Sequence, residues 1–171
     1  MSNLDPTSHE LAMMARRNAA QDAQLGRIIA DSEAEFSVRH LKAYACLMWP
    51  HLNTGSPVVR SWYLDAIADH LDAVKRFLLG EPGGIQRLLI SIIFRSAKST
   101  MTSVAFPTWL WLHDPRLRIL SGSYDYNLSE RDTWASRLAM QSPTYQRLLA
   151  QAVTNFPLLI VDSVNDRLSV E

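Results

Sequence analysis

The chain has 171 residues, 47% of them hydrophobic, which is one domain's worth and long enough to bury a core. Seventeen basic residues balance seventeen acidic ones, so net charge supplies no sequence-independent grip on nucleic acid. A single cysteine, Cys46, excludes an internal disulfide and a Cys-rich zinc site, and the five histidines (9, 40, 51, 70 and 113) lack metal-ligand spacing.

Residues 1–34 read as a polar, Ala-rich helical leader. Thr7 and Glu10 are spaced as a capping box, and Leu11, Met14, Leu25, Ile28 and Ile29 form a weak helical stripe. Gly26 weakens that helix by about 1 kcal/mol relative to Ala. The segment is either a solubilising leader or an arm that docks on a partner subunit. No signal peptide opens the chain and no apolar run approaches the roughly 20 residues needed to span a bilayer, so the expectation is a cytoplasmic protein with no membrane contact.

From residue 35 the pattern strengthens. Ser37 is placed to cap a helix carrying Val38, Leu41, Ala45 and Met48 that stops at Pro50, and residues 51–57 have turn chemistry. Ser61 caps the best-patterned helix, with Leu64, Ile67, Leu71, Val74 and Leu78 at spacings of three and four, ended by Gly80. Trp62 stands at its start.

Residues 88–94 form a short apolar run rich in β-branched side chains and without alternation, the pattern of a strand buried on both faces of a parallel sheet. It stops at Arg95-Ser96-Ala97-Lys98-Ser99-Thr100, where the next helix should begin. Unpaired N–H groups at a helix N-terminus make an anion site; a Lys there reaches terminal phosphates and a following hydroxyl can ligate Mg²⁺. Against G-x-x-x-x-G-K-[ST], only Lys98 and Ser99 match, with Ile92 and Ala97 in the glycine positions. The following helix, 101–112, should be kinked or divided at Pro107. Trp109 and Trp111 read as core or interface packing.

Residues 117–124 read as a second strand, making a right-handed βαβ unit with parallel strands. Its carboxyl end would set Ser123, Tyr124 and Asp125 beside Lys98. Asn127 or Ser129 caps the next helix, with Trp134, Leu138, Tyr145 and Leu148 facing the sheet and Pro143 breaking it. Arg131 and Asp132 form an exposed first-turn pair. Residues 156–161 read as another strand followed by Asp162, and 168–171 as the start of a partner strand.

Arg95-Ser96-Ala97-Lys98-Ser99-Thr100, with its glycines replaced and an Arg in the loop, resembles the deviant Walker A motif of tailed-phage large terminase subunits. The likeness extends to Trp49-Pro50, Gly55-x-Pro57, Trp62, Ala66-Ile67, His70-Leu71-x-Ala73-Val74, Phe106-Pro107-x-Trp109, Ser123-Tyr124 and Arg131-Asp132, in order, from about residue 35 to the end. The family usually has Pro-Pro before the loop Arg, where this chain has Ile93-Phe94. The resemblance implies an α/β, P-loop NTPase-type parallel-sheet core, here incomplete, after an α-helical N-terminal segment. Residues 35–171 would be the N-terminal part of the ATPase domain, ending before the Walker B acids and the nuclease.

The resemblance also implies ATP and Mg²⁺ as cofactors. Lys98 would hold the β- and γ-phosphates, backbone N–H groups from Ser96 through Ala97 to Ser99 would cradle phosphate, and Ser99 or Thr100 would ligate Mg²⁺. Arg95 would act on the γ-phosphate as an arginine finger or coupling switch. Trp62 is equally a residue near the nucleotide base and a core aromatic. Implied partners are double-stranded DNA, a portal protein, a small terminase subunit and further copies of the chain. The alternatives are a catalytically inactive prophage remnant that only binds, and another P-loop ATPase of helicase-like type.

Overall fold

The structure is a computed structural model that describes residues 8–52, 61–93 and 96–155. Its elements in chain order are α1 (Ser8–Arg39), α2 (Leu41–Leu52), α3 (Trp62–Leu78), a π-helical segment (Thr100–Ala105), α4 (Phe106–His113), α5 (Tyr126–Gln141) and α6 (Pro143–Asn155). Two compact units divide the chain, Met1–Glu33 and Ala34–Glu171. In the first, α1 carries Leu25, Ile28 and Ile29 with more than half of each exposed. No helix of the described residues is long and apolar enough to cross a membrane.

The second unit is built from helix packing. Leu41, Tyr44, Ala45, Met48 and Leu52 of α2 are buried against Leu64, Ile67, Ala68 and Leu71 of α3, with Met101, Val104, Trp109, Leu112, Tyr145 and Leu148 completing the core. The spacing of three and four in α3 thus marks a real buried face, although Leu78 at its end is exposed. Ser61 occupies the N-cap position without a side-chain capping bond, and Gly80 follows the C-cap at φ 74°. Lys42 and Asp65 join α2 to α3 at 2.6 Å.

Trp109 ties the helices together. It is fully buried, and its indole N–H is shared between the carbonyls of Val38 (3.0 Å) and Ser37 (3.2 Å). Both lie in the last turn of α1, where carbonyls have no partner within the helix. Lys75 Nζ sits 5.1 Å from the ring centroid, and the His113 ring meets it edge-on at 4.7 Å. Beside it, Tyr44 donates to Thr108 Oγ1 (2.8 Å), Thr108 donates to the Val104 carbonyl (2.8 Å), and Tyr145 donates to the Thr108 carbonyl (3.0 Å). Burial raises the pKa of both phenols, keeping them neutral donors.

Several local expectations change. Ser37 does not cap a helix; it is buried inside α1, and only His40 interrupts the passage to α2. Pro50 lies within α2 and does not end it. Pro107 is accommodated by a change of helix type. A proline has no N–H and its ring crowds the carbonyl four residues back, here Ser103. The wider π segment precedes it, with Phe106 N–H bonded five residues back to Met101, and α geometry resumes at Phe106. Asp125, not Asn127 or Ser129, caps α5, its carboxylate accepting from Asn127 N–H at 2.9 Å. Pro143 starts α6, where the buried Ser142 hydroxyl accepts from Tyr145 N–H. Trp134 and Leu138 are exposed, while Tyr145 and Leu148 are buried.

The fold class is corrected outright. The described residues are 75% helical with no strand, so a parallel-sheet α/β core is not what they build. A strand exists only with a neighbour about 4.8 Å away to take its N–H and C=O groups. Residues 88–93 and 117–123 have no regular secondary structure. Along the first, Leu88, Ile90 and Ile92 are half-buried while Leu89, Ser91 and Ile93 are exposed, so one face rests on the helices and the other is bare. Leu120 is 98% exposed in the second. Residues 156–171, including the expected strand at 156–161 and Asp162, lie outside the described residues, as do Thr7 and residues 53–57 of the expected turn, whose first two residues, His51 and Leu52, belong to α2.

Two outcomes are expected. Trp109→Phe leaves the buried Ser37 carbonyl without its donor and takes one of two donors from the Val38 carbonyl, which His113 also meets, and should lower unfolding free energy by about 1–3 kcal/mol, measured by urea denaturation. Burial, and secondarily Lys75, push His113 down to about 4 against a hydrogen bond to the Val38 backbone. The unfolded chain therefore binds a proton that the folded chain refuses between about pH 6.5 and 4. Stability should fall as pH drops through that window, by at most about 1.4 kcal/mol per pH unit for this proton, and His113→Gln should flatten the slope.

Candidate phosphate loop and adjoining cleft

Residues 81–85 turn the chain back along α3. Ile85 N–H bonds the Ala73 carbonyl at 3.0 Å, and a Cβ on Gly84 would lie 2.2 Å from the Phe77 backbone nitrogen, so only glycine permits this approach. The extended segment that follows forms one wall of a cleft of about 320 Å³. Trp62, Tyr63, Ala66, Ile67 and His70 form the other, at helical spacings that place them on one face of α3. His70 Nδ1 is 2.7 Å from the Ala66 carbonyl. Trp62 is 81% exposed, and among the described residues its ring pairs edge-on with that of Tyr63, at 6.1 Å. The alternative in which Trp62 is a core aromatic is excluded by that exposure.

The same segment leads to Ser96-Ala97-Lys98-Ser99-Thr100. Ser96 is 5% exposed, and its Oγ has no hydrogen-bond partner among the described residues. Ala97 has φ 58°, the only positive φ at a non-glycine residue among those described. It sits where the standard phosphate-loop pattern has its second glycine. Lys98 is half-buried and is the first helical residue; its carbonyl accepts from Thr102 Oγ1 at 2.9 Å, and Met101 N–H bonds the Ala97 carbonyl. Ser99 is exposed with helical dihedrals, and Thr100 opens the π segment.

This turn can present successive N–H groups, a cation and a hydroxyl to an anion. Among the described residues no group of three His, Cys, Asp or Glu could hold a metal ion. The donor set fits Mg²⁺ only when most ligands come from phosphate oxygens and water, with the Ser99 hydroxyl as one more.

The structure keeps residues 96–100 in one turn, but no hydrogen bond, ion pair or ring contact joins Trp62 to it. Arg95 lies outside the described residues. Ser123, Tyr124 and Asp125 were expected beside Lys98 because parallel strands would carry them there. Without a sheet that reason disappears: Tyr124 is 96% exposed and Asp125 is a helix cap. Arg131 and Asp132 pair with each other at 2.7 Å. Tyr63 was not singled out from sequence, although Trp62, Ala66 and His70 at spacings of four carried the signal.

Comparison with protein-family models, curated proteins and solved structures finds no match to this chain.

If the loop geometry is intrinsic, Ala97→Gly should stabilise the protein by about 1 kcal/mol, because glycine adopts positive φ without a Cβ clash. Ala97→Val should destabilise it. Thermal unfolding of the two variants against native protein measures both.

Proposed function

We propose that this chain is the ATP-binding, N-terminal part of a large-terminase-like motor that packages double-stranded viral DNA into procapsids. The observation that carries the reading is Ala97. A non-glycine residue held at positive φ costs about 1–2 kcal/mol, and here it falls at the glycine position immediately before Lys98 and Ser99. A turn of this kind is one that can present N–H groups to an anion. The reading rests on this turn and on the order of motifs along the chain, not on a sheet.

In this reading Lys98 neutralises the β- and γ-phosphates, and Ser96, Ala97, Lys98 and Ser99 donate backbone N–H groups. Ser99 completes the shell of a nucleotide-borne Mg²⁺. Arg95 acts on the γ-phosphate, and Trp62 offers an exposed face to a base. A portal ring, a small terminase subunit, DNA and further copies of the chain are the partners that the resemblance brings with it.

The test is equilibrium binding of Mg²⁺–ATP to the full chain by calorimetry. Saturable binding is expected, weakened at least about tenfold in Lys98→Ala and little changed in Arg95→Ala, whose role falls in the transition state. A folded native chain that binds no nucleotide sinks the proposal. ATP turnover by the same preparation then separates a motor fragment from a module that binds without hydrolysis.

A further inference from the structure

We infer that the helical arm of the first unit pairs with the same arm of a second copy of this chain, antiparallel, around a two-fold axis near Gln24. The inference is independent of the nucleotide reading.

Residues 15–29 of α1 are exposed without exception, so within the first unit this part of the helix buries no face. Helical stability in proteins comes chiefly from packing an apolar face, and a helix wetted all round is marginal. The arm does have such a face: Leu25, Ile28 and Ile29 are 57%, 54% and 51% exposed, at spacings of three and four. Asn18, Gln21 and Ser32 continue the same stripe, leaving a short apolar centre with polar ends.

The charges select the occupant. At about 100° per residue, Arg17 and Asp31 flank the stripe on the same side, about 21 Å apart along the axis. Among the described residues neither makes an ion pair within the chain. A two-fold axis at Gln24 brings Arg17 of each copy level with Asp31 of the other, so one sequence feature gives two ion pairs. In antiparallel helix pairs, like flanks face each other. The opposite flank then sets Glu33 beside Ala15 and Asp22 beside Gly26, so no like charges meet. Leu25 lies next to the axis in both copies. Antiparallel alignment also opposes the two helix dipoles favourably. The interface is isologous, the form that closes at two subunits.

Sedimentation velocity of the full chain over a concentration series provides the measurement, with far-UV circular dichroism confirming unchanged helix content in each variant. The native chain is expected to dimerise. Arg17→Glu turns both attractive contacts repulsive and should raise the dissociation constant about tenfold. The double variant Arg17→Glu/Asp31→Arg re-forms both contacts with reversed sign and should restore native affinity. A native chain that stays monomeric at about 100 µM overturns the inference, because an interface weaker than that is not specific pairing. So does failure of the double variant to recover. Recovery by Arg17→Glu/Asp22→Arg in its place, the pattern of a parallel pair, overturns it as well.

Discussion

The second unit depends on one side chain having its polar edge satisfied in a dry place. Trp109 brings a large apolar surface into the core, and its single N–H meets the carbonyls that the end of α1 leaves open. A buried donor without a partner costs more than a typical hydrogen bond contributes, so the indole and the helix end constrain each other's position. Lys75 over one ring face and the neutral His113 at its edge complete the enclosure. The Tyr44–Thr108–Tyr145 chain of hydrogen bonds applies the same logic one residue earlier on α4 and reaches α2 and α6.

That constraint has consequences for the turn at residues 96–99. The helix that starts at Lys98 must deliver Thr108 and Trp109 to fixed partners while passing Pro107, and it does so by widening into a π segment over Thr100–Ala105. The candidate loop and the core anchor are therefore two ends of one helix. Insertions of π geometry inside α-helices occur frequently at functional sites, where the register of a side chain matters more than regularity. Here the register keeps Lys98 at the first turn and Trp109 in the core.

In the second unit, the segments at 88–93 and 117–123 carry no regular secondary structure. Each exposes large apolar side chains, Leu89 and Ile93 in one, Leu120 in the other. The first at least has α3 beneath it, tied down by the Gly84 turn, and so forms the wall of a cleft. The second is anchored at Leu117, whose carbonyl accepts from the Trp111 indole at 3.0 Å and whose N–H bonds the Asp114 carbonyl at 3.2 Å.

Features that arise from local chemistry are legible in the residues alone. The three-and-four spacing of α3 and the stop at Gly80 followed from its residues, as did the start of a helix at Lys98 and the division between α5 and α6 at Pro143. In each case side-chain period or backbone restriction acts within a few residues. Whether an apolar run becomes a strand depends on distant parts of the fold. Residues 88–93 satisfy every local rule for one, yet a strand is defined by hydrogen bonds to a neighbour, and no residue in the run specifies that neighbour. The same limit explains Ser37, which has a cap's chemistry but sits inside a helix because Trp109, seventy-two residues away, needs the end of α1 beside it. Ala97 marks the boundary between the two kinds of knowledge: the motif gave its position, and the fold alone gave it the positive φ of a glycine.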